Sequence, residues 1–149
     1  MDVRSDRSYQ FAVPPEELWL ALTRVEDYRS WWPWLRGFDG SSFEPGAAWR
    51  CVVQPPLPYS LRFRVTLDEV HPLRSAVARI DGDIRGTARL ELVPTDDGCE
   101  AHLVSRLAPA SSVLRAIAVM ARPVARFGHD WVLDNGLRQF RAQAFPATA

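Results

Sequence analysis

Three histidines, His71, His102 and His129, are the side chains of this sequence best suited to moving protons, because an unperturbed imidazole titrates at about pH 6.5. His71 precedes Pro72 in a turn, which predicts a solvent-exposed ring. His102 alternates onto the charged face of a strand. His129 adjoins Asp130, but the helical spacing of its segment points it away from a sheet, toward hydrogen bonds at the surface or with a loop. Other groups that could meet a ligand are Tyr28, Trp49, Ser105, Trp131 and Asn135. The Asn135 amide would orient a ligand carbonyl or hydroxyl, or else bond to nearby backbone. Trp31, Trp32 and Trp34 either close over a ligand at a cavity mouth or plug the core, since each ring buries a large area.

Other chemistry lacks a motif. There is no nucleophile elbow, HExxH, P-loop or GxGxxG, so metal, nucleotide and covalent catalysis have no support and no cofactor is expected. Cys51 and Cys99 lie in separate apolar stretches without CxxC spacing, and read as buried free thiols.

The elements that would position these residues follow from periodicity. Tyr9, Phe11 and Val13 alternate with polar neighbours and predict a first strand over 8–13. Pro14-Pro15 ends it and starts a helix, with Glu16 and Glu17 in the first turn and Leu18, Ala21, Leu22 and Val25 at helical spacing. A second short helix carries Asp27-Tyr28-Arg29 into Trp31-Trp32-Pro33, where proline stops it. Six further strands are predicted over 37–43, 47–54, 60–70, 75–81, 84–93 and 99–107. Their short Gly-, Pro- and Asp-rich joins imply an antiparallel meander, because parallel neighbours need long crossovers. From Ser111 or Ser112 a helix is predicted to about Phe145, kinked or split in two by Pro123. Ile117, Ala121, Val124, Gly128, Trp131 and Asn135 fall along one side of it, and Arg115, Arg122, Arg126 and His129 opposite.

In the strands, Phe63, Ala78, Leu90 and Leu103 belong to an almost wholly apolar face, and the other face carries interspersed charges. That apolar face is rich in small residues, with Ala76, Ala78, Gly86, Ala88 and Ala101. Opposite stand Ala121, Ala125 and Gly128 of the helix. Small side chains on both sides either leave an unfilled volume or let helix and sheet approach closely.

At 149 residues the chain has the length of one domain, and residues 1–149 are read as such. Its 18 basic residues, all arginine, balance 18 acidic ones, so no net field would gather nucleic acid. The polar N-terminus lacks the apolar core of a signal peptide, and no run of roughly 18 apolar residues spans a membrane. A cytoplasmic monomer or homodimer, with no nucleic-acid partner, is the expectation.

The segments VPPEELWLALTRVEDYRSWWPWL, GDIRGTARLELVPTDDGCEAHLVSRLAP and FGHDWVLDNGLRQF resemble the START-like (SRPBCC) superfamily, and within it the polyketide cyclase/dehydrase group. The resemblance implies an α+β helix-grip fold, a seven-stranded curved antiparallel sheet wrapped around a long C-terminal helix, with two short helices after the first strand. It also implies a ligand cavity between sheet and helix, but no universal catalytic set. The residues expected to line the cavity are Tyr28, Trp32, Trp49, Phe63, Ala78, Leu90, Leu103, Val124, Gly128, Trp131 and Asn135. Three functions follow as expectations: carriage of an apolar lipid-like or polyketide-like molecule, cyclisation and dehydration of a bound poly-β-ketone, or a protein–protein adaptor.

Overall fold

The computed structural model describes residues 3–57, 59–112, 115 and 122–145. Seven strands form one antiparallel sheet: β1 (Val3–Phe11), β2 (Leu35–Asp39), β3 (Ala48–Val53), β4 (Leu61–His71), β5 (Ser75–Gly82), β6 (Ile84–Thr95) and β7 (Gly98–Pro109). Their spatial order is β1-β7-β6-β5-β4-β3-β2, so every hairpin from β2 to β7 pairs with its neighbour in sequence and β1 joins β7. The sheet curves as a half-barrel around the C-terminal helix, the expected helix-grip arrangement.

Between β1 and β2 the chain crosses in helix α1 (Pro15–Leu22), a 3-10 turn (Val25–Asp27) and helix α2 (Tyr28–Trp31). Pro15 begins α1, where its missing N–H costs nothing, and Glu16 and Glu17 meet the positive end of the helix dipole. The described part of the C-terminal helix, α3, runs Arg122–Ala144. Pro123 stands at the border of the described residues, so the kink or break that the sequence suggests there lies outside them. Ile117 and Ala121, and the side chains of Val124 and Ala125, lie outside the described residues.

The first strand starts five residues earlier than the alternation predicts. Val3, Ser5, Arg7, Tyr9 and Phe11 all face inward, paired with Leu107, Ser105, Leu103, Ala101 and Cys99 of β7. Two of these five side chains, Ser5 and Arg7, are polar, which breaks the apolar pattern without breaking the strand. In β4 a bulge between Leu67 and Glu69 brings Val70, not Glu69, opposite Ala76.

The interior has two unlike halves. Beneath the C-terminal half of α3 the core is solid and aromatic: Phe140, 5% exposed, meets the rings of Phe11, Trp31, Trp32 and Phe145 at centroid distances of 5.4 to 6.4 Å. Leu18, Val25, Leu35 and the fully buried Cys99 complete it. Burial pushes the Cys51 thiol up to about 12, and Cys99 is shifted upward for the same reason, so both behave as apolar fillers. Among the described residues no helix is long and apolar enough to cross a membrane, and no group of three or more His, Cys, Asp or Glu side chains could hold a metal.

One turn carries strain. Leu73 follows Pro72 in the β4–β5 hairpin with φ 68°, a left-handed conformation that disfavours a γ-branched side chain, while Arg74 N–H closes the turn on His71 O at 2.9 Å. The leucine is exposed and gains little from packing. Leu73→Gly is therefore expected to raise stability by about 1 kcal/mol, read as a higher urea midpoint at unchanged slope. A lower midpoint would mean that Leu73 makes contacts its exposure does not reveal.

Candidate functional site

Under the N-terminal half of α3 the interior is hollow. A cavity of about 250 Å³ lies between helix and sheet. For scale, about 150 Å³ holds a benzene and drug-sized ligands need roughly 300–1,000 Å³, so the volume suits one or two rings or a short chain.

Its walls come from four places. The sheet gives Phe63, Ile80, Ala88, Leu103 and Leu107, all facing inward by register. The helix gives Gly128, His129, Val132 and Leu133, the segment between β3 and β4 gives Pro55 and Tyr59, and β1 gives Val3. Ala88 is central, directly across from Ala78 of β5 and Ser105 of β7, and its single methyl is the reason the sheet floor drops away here. Gly128 keeps the roof close. A Cβ at that position would stand 2.5 Å from Tyr59 Oη and 3.1 Å from Leu57 Cδ1, so a larger residue there would push the ends of these two side chains away from α3.

Of the side chains that sequence reasoning assigned to the cavity, Phe63, Leu103 and Gly128 line it. Tyr28, Trp32 and Trp49 do not: they stand in the aromatic half, where the Tyr28 hydroxyl donates to Leu22 O, Trp32 Nε1 to Gly136 O (2.9 Å) and Trp49 Nε1 to Ser42 O (2.8 Å). Large rings fill volume, and the hollow forms where they are missing. Ala78 is buried beside the floor but Ile80 is the β5 residue that reaches the cavity, and Leu90 packs toward the core. Trp131 and Asn135 sit on the flank of α3. Asn135 Nδ2 donates to Trp131 O (2.9 Å), and its Oδ1 accepts from Arg138.

The helix phase explains that error. The inward stripe is 128, 129, 132, 133, 136, 137 and 140, turned by about one residue, roughly 100°, from the stripe extrapolated across Pro123. His129 consequently faces inward, contrary to the surface role expected for it. Its side chain is 13% exposed, and Nδ1 donates to Asp130 Oδ1 at 3.2 Å.

Asp130 belongs to a clasp that ties α3 to the edge strand. Arg7, from the inward face of β1, donates to Asp130 (3.0 Å) and to Asp134 (2.5 Å). Arg126 approaches Asp130 at 3.4 Å and donates to the carbonyl of Arg4 at 3.0 Å. Behind the clasp Ser5 and Ser105 face each other across β1 and β7, 7% and 8% exposed, and Ser105 opens on the cavity. Sequence reading missed Ser5 and Arg7 because it started β1 too late; the alternation, extended backward from Phe11 and Tyr9, was the available signal.

Burial holds the His129 imidazole below its ordinary pKa, outweighing the hydrogen bond to Asp130, while Arg126 and Arg7 push the same way as burial. The folded protein therefore resists protonating this ring. As pH falls below about 6.5 the unfolded chain takes up the proton more readily, and stability is lost down to the folded-state value. His102 runs in the opposite sense, since its bond to Asp6 raises its pKa and contributes stability that is lost as pH rises. His129→Gln is expected to flatten the fall in urea midpoint between pH 7 and pH 5 relative to the parent. Identical pH dependence in the two proteins would contradict the inward placement of His129.

No curated protein matches in a sequence comparison. Among solved structures, the ZhuI aromatase/cyclase from Streptomyces sp. R1128 superposes with TM-score 0.78 at 13% identity, over 97% of this chain and 94% of that one. TTHA0849 from Thermus thermophilus superposes with TM-score 0.73 at 14% identity over the whole of both chains. StfQ, a di-domain ARO/CYC from the steffimycin biosynthetic pathway, gives 0.74 at 13% identity over 98% of this chain and 51% of its own. At such identities the likeness speaks for the fold. The sequence itself matches a family model over residues 2–144, and on that match the chain belongs to the polyketide cyclase/dehydrase and lipid transport family.

Proposed function

We propose that the protein binds an apolar small molecule, one or two rings in size, in the hollow between the sheet and the N-terminal half of α3. The observation that carries this reading is the hollow itself, about 250 Å³ walled almost entirely by apolar side chains in an interior whose other half is solidly filled. An unfilled apolar volume forfeits dispersion contacts and costs roughly 24 cal/mol per Å³ where a cavity replaces a filled core. A bound molecule restores those contacts. The test is thermal: a panel of quinones, small aromatic ketones and phenols should include members that raise the melting temperature in proportion to the logarithm of their concentration. A panel that leaves the melting temperature flat at saturating concentrations would remove the reading.

His129 favours a second reading, an enzyme that cyclises and dehydrates a bound poly-β-ketone by proton transfer. The imidazole lies on the cavity wall, is kept neutral by burial, and has one nitrogen committed to Asp130. That arrangement suits a general base, which must be unprotonated at working pH and held in one orientation. The ZhuI aromatase/cyclase fold likeness is compatible with it. His129→Gln separates the readings: an enzyme loses turnover by far more than any change in its binding, whereas a carrier has no turnover to lose.

A further inference from the structure

The polar groups that line the hollow specify more than apolarity. Ser105 is 8% exposed, lines the cavity and makes no hydrogen bond to a described residue; across from it the buried Ser5 Oγ also has no partner among the described residues. A hydroxyl so placed awaits one. Across the hollow, on the helix side, His129 is a further polar lining residue, with the Tyr59 hydroxyl against neighbouring Gly128. Because Nδ1 carries its proton toward Asp130, the neutral ring offers only Nε2, an acceptor. Formal charge is spent nearby: Arg7 is bound by Asp130 and Asp134, Arg126 by Asp130, and no Arg, Asp or Glu is among the lining residues described.

We propose that the ligand carries a hydroxyl, as a phenol or alcohol on its apolar frame, and that this hydroxyl sits at Ser105 and His129 while carboxylates are excluded. This rests on the binding reading above. A hydroxyl both donates and accepts, so it can give its proton to His129 Nε2 and take one from Ser105. A carboxylate only accepts. It would face the lone pair of Nε2, find no free cation among the described lining residues, and lose its hydration on entering apolar walls. A fatty acid is thereby a poor ligand, although its chain would suit the walls.

Three probes of similar frame decide it: naphthalene, 2-naphthol and 2-naphthoate, titrated calorimetrically or by fluorescence at about pH 7.5, where the naphthol is neutral and the naphthoate ionised. The expected order is 2-naphthol about tenfold tighter than naphthalene, and naphthoate weakest. Ser105→Ala and His129→Gln should each bring naphthol down toward naphthalene. Naphthol no tighter than naphthalene, naphthoate equal to or tighter than naphthol, or a naphthol advantage that survives both substitutions, would overturn the hydroxyl assignment and leave the binding reading standing. Failure of all three probes to bind would overturn both.

Discussion

Ala88→Phe is expected to weaken small-molecule binding by about 100-fold or more and to leave the protein folded, with a melting temperature equal to or above the parent's. Ala88 sits at the centre of the cavity floor, flanked across the strands by Ala78 and Ser105, with Val132 and Leu133 of α3 also lining the space above. A benzyl group projected from it occupies volume of the kind that about 150 Å³ of apolar space offers to benzene, out of about 250 Å³ available. In a filled core the same change would overpack and cost about 1–3 kcal/mol. Here the ring enters empty space and gains dispersion contacts. Thermal denaturation and a binding titration on the same sample read both halves of the prediction. Loss of stability with binding intact would place the ligand elsewhere and make the floor an ordinary core.

Phe140→Ala is expected to do the reverse, costing about 3–5 kcal/mol of stability. That is a large share of the roughly 5–15 kcal/mol typical of a domain. The Phe140 ring is the point where α3 meets α2 and β1: it lies 5.4 Å from Trp31, 5.6 Å from Phe145 and 6.0 Å from Phe11, edge to face in each case. Edge-to-face pairs add to the area buried, and truncation removes three at once while leaving a void that indole and phenyl frames cannot close. The urea midpoint should fall sharply at unchanged slope. A loss below about 1 kcal/mol would show that the aromatic half collapses around the deletion and is softer than its ring geometry implies.

The sheet was legible because its signals are local. Period-two alternation and turn residues such as Glu44-Pro45-Gly46 and Asp81-Gly82-Asp83 set strand and join independently of anything distant. Where two elements must be put in register with each other, local signals ran short. The inward stripe of α3 depends on its phase, and a phase carried across Pro123 from Ile117 put Trp131 and Asn135 inward and His129 outward. Val132, Leu133, Leu137 and Phe140, taken without the segment before the proline, hold the correct phase.

The cavity's place was hidden for a related reason. Aromatic residues near a supposed mouth attract assignment as ligand contacts, yet Tyr28, Trp32 and Trp49 bury their rings against one another and against Phe38 and Phe140. Space remains where the sheet is poor in large side chains, at Ala88 and Ser105. The clasp of Arg7 with Asp130 and Asp134 joins positions more than 120 residues apart, and no spacing rule reaches that far.

Ligand binding by this protein turns on which half of the interior admits a guest, and methyl NMR during titration with 2-naphthol addresses that directly. The methyls of Leu103, Leu107, Val132 and Ile80 should shift in a saturable manner while those of Leu18, Val25 and Leu35 stay in place. Saturable shifts confined to Leu18, Val25 and Leu35, or none anywhere with every phenol, ketone and quinone tried, would contradict it.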